Sequence, residues 1–167
     1  MVGTVFLICG KICSGKSFYA ERLRKEKSAA LLSVDEITLA IFGSHIGEKH
    51  DEVCENVQKY LFEKSLEIAE VGFNVILDWG FWQKEEREYA RKFYKSRGVP
   101  CEFHYIDVSD GQWRENISER NKAITEGTVS AYYVDDNLAA KFGALFESPT
   151  KDEIDVWYMN DGKYGTR

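Results

Sequence analysis

Proline is scarce: Pro100 and Pro149 are the two in 167 residues, so no proline-rich linker divides the chain. Cysteine is scarce too. No pair among Cys9, Cys13, Cys54 and Cys101 has metal-ligand spacing, and reduced thiols of a cytosolic protein fit better than a disulfide framework. Positive charge is not in excess. Lys and Arg number 22 against 28 Asp and Glu, a formal net charge of −6. Proteins that grip nucleic-acid backbones usually present a basic face, so this balance disfavours a polynucleotide partner and suits a small ligand held by locally focused positive charge. No apolar run is long enough to span a bilayer. The first strand-like run, residues 2–9, lacks the basic start and cleavage site of a signal peptide. A cytoplasmic protein with no membrane partner is expected.

What is present has the composition of a folded domain, 44% hydrophobic and 30% charged, in a length that suits one unit over residues 1–167. Short apolar runs at 5–9, 29–34, 73–77 and 101–108 read as strands buried on both faces, with a fifth strand at 154–158. Helical patterns fall between and after them, at 18–27, 37–42, 51–71, 84–97, 113–123 and 135–146. Glu85, Glu86 and Glu88 come early in the fourth of these and Lys92, Lys95 and Arg97 late, as the helix dipole favours. Residues 126–133 are weakly patterned and expected to be mobile. Strands alternating with helices predict an α/β protein with a parallel sheet covered on both faces. Ligands of such sheets bind beyond the carboxyl ends of the strands, where Asp35 and Asp78 are expected, each at the end of an apolar run.

Gly10-Lys11-Ile12-Cys13-Ser14-Gly15-Lys16-Ser17 fits the Walker A pattern G-x-x-x-x-G-K-[S/T] at every fixed position, between an expected strand and an expected helix. The glycines let the backbone curl so that its N–H groups face phosphate oxygens, and the helix that follows adds its positive end. Lys16 is expected on the β- and γ-phosphates and the Ser17 hydroxyl on Mg²⁺, with Phe18 closing the run of nucleotide contacts. Asn74-Val75-Ile76-Leu77-Asp78 is an apolar strand ending in an acid, the Walker B pattern, which makes Asp78 the second candidate for Mg²⁺. The cofactors expected are therefore ATP and Mg²⁺.

Further absences sort the NTPase classes. Trp79, not Glu, follows Asp78, which disfavours an ATP-driven machine. Asn121-Lys122-Ala123-Ile124 lacks the aspartate of a guanine-reading N-K-x-D, and no D-x-x-G follows the loop, which disfavours a GTPase. Phosphoryl transfer to an acceptor remains. Asp35 is the candidate base for the attacking hydroxyl, with the N-cap of the next helix as its plainer role. Arg120 and Arg114 are candidates to stabilise the transferred group. Six residues apart on one straight helix, they do not share a face. Trp79, Phe81 and Trp82 could line an acceptor pocket or pack in the core. His45 and His50, without a third ligand, argue poorly for a metal. Two other readings stay open: a nucleotide-binding switch or slow ATPase acting through a protein partner, and a polynucleotide or tRNA kinase.

Taken together, Val34-Asp35-Glu36, Val75-Ile76-Leu77-Asp78-Trp79-Gly80-Phe81-Trp82, Glu119-Arg120-Asn121 and Phe146-Glu147-Ser148-Pro149-Thr150 resemble the AAA-type P-loop ATP-binding proteins and small-molecule kinases related to zeta toxins and chloramphenicol phosphotransferases. The likeness spans residue 5 to about residue 153. It implies a three-layer P-loop NTPase fold, a five-stranded parallel sheet of order 2-3-1-4-5, and a small helical lid at about 113–133. It also implies kinase chemistry with Asp35 as catalytic acid and with lid arginines Arg114 and Arg120. Acceptors vary within that group, so the resemblance names none.

Overall fold

A computed structural model describes residues 1–43 and 47–162; His45 lies outside them. Strands β1 (Val5–Cys9), β2 (Ala29–Ser33), β3 (Asn74–Gly80), β4 (Cys101–Val108) and β5 (Val156–Asn160) form one sheet in the order β2-β3-β1-β4-β5, every pair parallel. The fold class and strand order are those expected. All five residues of β1 are buried, because a strand with a neighbour on each edge and helices over each face has no side left for water.

Strand alternation divides the core. Val5, Leu7, Val75, Leu77 and Phe103 face one way, against Phe62 and Ala69 of helix α3 (His50–Glu70) and Ala90, Phe93 and Tyr94 of α4 (Lys84–Lys95). Phe6, Ile8, Ile76 and Ile106 face the other way, against Tyr19, Ala20 and Leu23 of α1 (Lys16–Lys27). The first cluster is dense in aromatic rings and the second is not. Among the described residues no helix is long and apolar enough to cross a membrane.

Several boundaries differ from the sequence expectation, each for a local reason. Helix α2 spans Val34–Phe42, and its cap is Ser33, whose hydroxyl accepts from the Glu36 N–H at 3.3 Å. Asp35 is therefore not the N-cap; it is an exposed residue of the first turn. Helix α5 runs Asp110–Thr125, begun by Ser109, whose hydroxyl accepts from the Gln112 N–H. Strand β3 does not stop at Asp78. It continues to Gly80, pairing Ile8 with Asp78 and Cys9 with Gly80, so that Trp79 is an unmatched extra residue. Strand β5 lies two residues later than the apolar pattern suggests. Helix α6 (Asp136–Leu145) is capped by Asp135.

One buried ion pair fixes the segment that leaves β3. Arg87, 2% exposed, donates from Nε to Glu153 Oε2 at 2.8 Å and from Nη1 to the carbonyls of Phe81 and Trp82 at 3.1 and 3.2 Å. Burial would raise the Glu153 carboxyl, but the Arg87 guanidinium and the bonds from Thr150 outweigh it and hold the pKa at about 2. Because that value lies below the ordinary 4.5, the pair's contribution is complete above pH 4.5 and is lost as pH falls through about 2. Glu153→Gln leaves the Arg87 charge unpaired in the core, and urea unfolding at pH 7 is expected to show a loss of about 3–5 kcal/mol. The variant's stability should also depend less on pH between 4.5 and 2 than the parent's.

Candidate functional site

The glycine-bounded loop between β1 and α1 is held by its carbonyls. Trp113 Nε1 donates to Ile12 O at 2.6 Å, Asn116 Nδ2 to Cys13 O at 2.9 Å, and Asn160 Nδ2 to Ser14 O at 2.9 Å. In a planar trans peptide the C=O and the following N–H point opposite ways. Tying the Ile12 and Ser14 carbonyls outward therefore turns the Cys13 and Gly15 amides toward the hollow of the loop. Ser14 N–H closes the turn on Lys11 O at 3.2 Å. Lys11 is held outside, 3.5 Å from Asp110 and with its amine over the Trp113 ring.

Two glycines are required. Gly10 has φ +156, and a Cβ there would lie 2.8 Å from both Ile106 O and Ser14 Oγ. Gly15 has φ +94, and its Cβ would lie 2.5 Å from Asn160 Nδ2. Gly15 is also the residue before α1. That helix has no side-chain cap and no acid in its first turn, whereas Ser33, Ser109 and Asp135 cap α2, α5 and α6. Its leading amides are open to an anion from outside the chain.

The charged groups lie just inside. Lys16 Nζ donates to Lys11 O at 2.6 Å. Burial lowers the Lys16 pKa, and the charges of Asp78 and Asp35 act against that shift. Burial raises the Asp78 pKa, opposed by the Lys16 charge and by a hydrogen bond from the Ser17 hydroxyl, while the Asp35 charge pushes it further up. Asp78 is 5% exposed. A hydroxyl and a carboxylate, both oxygen donors, suit Mg²⁺, whose remaining positions are commonly filled by phosphate oxygens and water. Among the described residues no cluster of three or more His, Cys, Asp or Glu could hold a metal by itself. His50 lies 3.4 Å from Asp51 and edge-on to the Tyr132 ring.

Helix α5 separates the two arginines. Arg120 shares the loop-facing side with Trp113 and Asn116 and donates from Nη1 to Cys13 Sγ at 3.4 Å; its buried Nε has no acceptor among the described residues. Arg114 is exposed and makes no hydrogen bond or ion pair with another described residue. After α5 the chain turns back: Asn121 brackets Val134 with two hydrogen bonds, and the Tyr132 hydroxyl meets Thr38 Oγ1 of α2 at 3.2 Å. The aromatic trio also divides. Phe81 is core at 1% exposure, with φ +46, and Trp79 lies 4.8 Å from it, ring to ring. Trp82, at the edge of the same core, meets Phe142 with ring centroids 4.8 Å apart at 54°. Phe18 is partly exposed at the start of α1.

Trp113, Asn116 and Asn160 are the functional residues that sequence reading misses. For the first two a signal existed, since 113, 116 and 120 share a helix face with the candidate Arg120. Asn160 carried none, because the apolar pattern ended β5 at 158.

The AAA domain family matches residues 5–139 of the chain. No curated protein matches it by sequence. Among solved structures, an APS kinase of Mycobacterium tuberculosis in complex with AMPPNP and APS is similar at 18% identity, covering 98% of this chain and 91% of that one, with a TM-score of 0.65. A putative kinase of Chloroflexus aurantiacus is similar at 15% identity, over 97% and 89%, TM-score 0.73. Chaetomium thermophilum Kti12 in complex with ADP-AlF3 is similar at 15% identity, over 93% and 88%, TM-score 0.70. At such identities the likeness establishes the P-loop NTPase fold, and function has to be argued from the site.

Two substitutions test the loop's anchoring. Asn160→Ala removes one hydrogen bond to the cradle and is expected to weaken MgATP binding about three- to tenfold, read as a smaller MgATP-induced rise in Tm. Gly15→Ala, with its strained φ and its clash on Asn160, should abolish that rise while the far-UV circular dichroism stays native.

Proposed function

The chain belongs to the AAA domain family, and from that premise we propose that it is an ATP-dependent phosphotransferase that moves the γ-phosphoryl group to a hydroxyl of a small molecule. It works as a single P-loop kinase-like domain, residues 1–167, with about 113–133 as its lid. The observation that carries this reading is the tied-back glycine loop with a lysine and a buried carboxylate beside it. Lys16, whose amine reaches the Lys11 carbonyl, and the buried Asp78 stand beside a loop whose carbonyls are tied back by Trp113, Asn116 and Asn160. The nucleotide analogues held by the APS kinase and by Kti12 lend support from the same fold.

In the proposed reaction residues 10–17 bind the triphosphate, with Phe18 at their edge. Lys16 leaves the Lys11 carbonyl for the β- and γ-phosphate oxygens, which also restores favourable conditions for its charged form. Ser17 and Asp78 hold Mg²⁺, which when bound neutralises charge on the β- and γ-phosphates. Asp35 takes the proton of the acceptor hydroxyl, whose oxygen forms the new bond to phosphorus as the bond to the ADP oxygen breaks. Arg120, one of whose guanidinium nitrogens has no acceptor among the described residues, offers it to the transferred group; Arg114 reaches the same charge only if the lid moves.

An ATP-consumption screen against alcohols, sugars, nucleosides and antibiotics tests the assignment. Turnover that depends on one acceptor class is expected, and Asp35→Asn should lower the transfer rate by about 10²- to 10⁴-fold with MgATP affinity unchanged. A transfer rate that Asp35→Asn leaves intact would remove Asp35 from the chemistry.

A further inference from the structure

A cavity of about 410 Å³ opens between α3 and α4 at the carboxyl end of β3, on the face of the sheet away from α1. That size is within the usual range of small-molecule sites, roughly 300–1,000 Å³. Its base is aromatic. The Phe62 and Trp79 rings lie 5.3 Å apart at 81°, Phe81 lies beneath Trp79, and Tyr89 stands 5.5 Å from Phe62. Its charged lining is one-sided, with Glu55, Glu85 and Glu86 against Lys59 alone. Glu86 is occupied, accepting from the Gln83 N–H at 2.9 Å. Glu55, Lys59 and Glu85 make no hydrogen bond or ion pair with another described residue.

The base and the α3 wall of the cavity start near the candidate acids Asp78 and Asp35. Trp79 directly follows Asp78 in β3. Glu55 follows Cys54 in α3, and the Cys54 thiol is close enough to Asp35 to feel its charge, although burial is the larger influence on it.

We propose that this cavity is the acceptor site and that it selects hydroxyl-bearing ring compounds without negative charge, an amine-bearing ring fitting best. The inference rests on the kinase reading for the word acceptor, and on the cavity alone for its selectivity. Aromatic faces carry negative charge density, so they attract the C–H face of a saturated ring and, more strongly, a cation. The exposed Glu55 and Glu85 carboxylates add to that attraction and repel a phosphate, sulfate or carboxylate on the incoming molecule. Lys59 offsets only one of them. The hydroxyl presented toward Asp35 gives up its proton there as its oxygen takes the phosphoryl group from ATP.

The test uses matched sets built on one ring: the plain alcohol, its amine derivative, and its carboxylate or phosphate derivative. Each is titrated into the full chain with a non-hydrolysable ATP analogue, reading tryptophan fluorescence, with Trp79→Phe identifying the reporter. The alcohol and the amine should bind, and the anionic member at least tenfold more weakly. The exposed double change Glu55→Lys with Glu85→Lys should reverse or erase that order and leave binding of the ATP analogue unchanged. Equal or tighter binding of the anionic member, an order unaffected by the charge reversal, or no binding by any member overturns the proposal. Transfer of ³²P from ATP separates the two readings. Binding in the expected order without transfer removes the kinase assignment and leaves the cavity's selectivity standing. Transfer to an anionic acceptor, indifferent to Trp79 and the two glutamates, keeps the kinase and removes this inference.

Discussion

Three side-chain N–H donors, one indole and two carboxamides, hold three consecutive carbonyls: Trp113 on Ile12, Asn116 on Cys13, Asn160 on Ser14. A glycine-bounded loop has many conformations open to it, and ordering its backbone costs about 1–2 kcal/mol per residue. With the carbonyls fastened outward, that ordering is done during folding and the inward amides stand ready for an anion, which is preorganisation in the sense that strengthens binding. The donors come from α5 and from the last residue of β5. The cradle thus depends on the fifth strand being in register and on α5 lying against the loop, and the sheet order places both there.

The same sheet explains why the charged groups converge. Parallel strands end on one side, and Asp78 and the turn into α2 both fall on that side with the loop. Strand alternation then gives each residue its task. Ile76 and Asp78 face α1 and the loop, while Leu77 and Trp79 face α3 and α4. The extra residue at Trp79, opposite the Ile8–Cys9 step of β1, re-aims the chain just past the acid and sends Trp79 and Phe81 into the aromatic side of the core. The Arg87–Glu153 pair holds that exit by gripping the Phe81 and Trp82 carbonyls.

How much of this was legible beforehand depended on whether the signal was local. The loop was, because its chemistry needs fixed residue types at fixed spacing from Gly10 to Ser17. The strands were, because five consecutive buried positions in β1 leave a continuous apolar run. The Ser33 cap was not, since Ser33 and Asp35 are both good caps and only the observed start at Val34 decides between them. Asp78 within β3, not at its end, was hidden because a polar residue inside a strand reads as a stop. The arginines were half legible: spacing showed that Arg114 and Arg120 diverge, but only the position of α5 on the loop shows which one meets Cys13. Asn160 was invisible, a single polar residue 146 positions from its partner with no periodicity to announce it.

Isothermal titration of the chain with MgATP, run beside Lys16→Ala, is the most direct measurement. One equivalent of nucleotide should bind, and the variant should bind at least a hundredfold more weakly, since it loses the cation that the loop encloses and that charge-assisted bonds to phosphate make strong. No nucleotide uptake by the parent, or equal uptake by the variant, would contradict a phosphate cradle at residues 10–17.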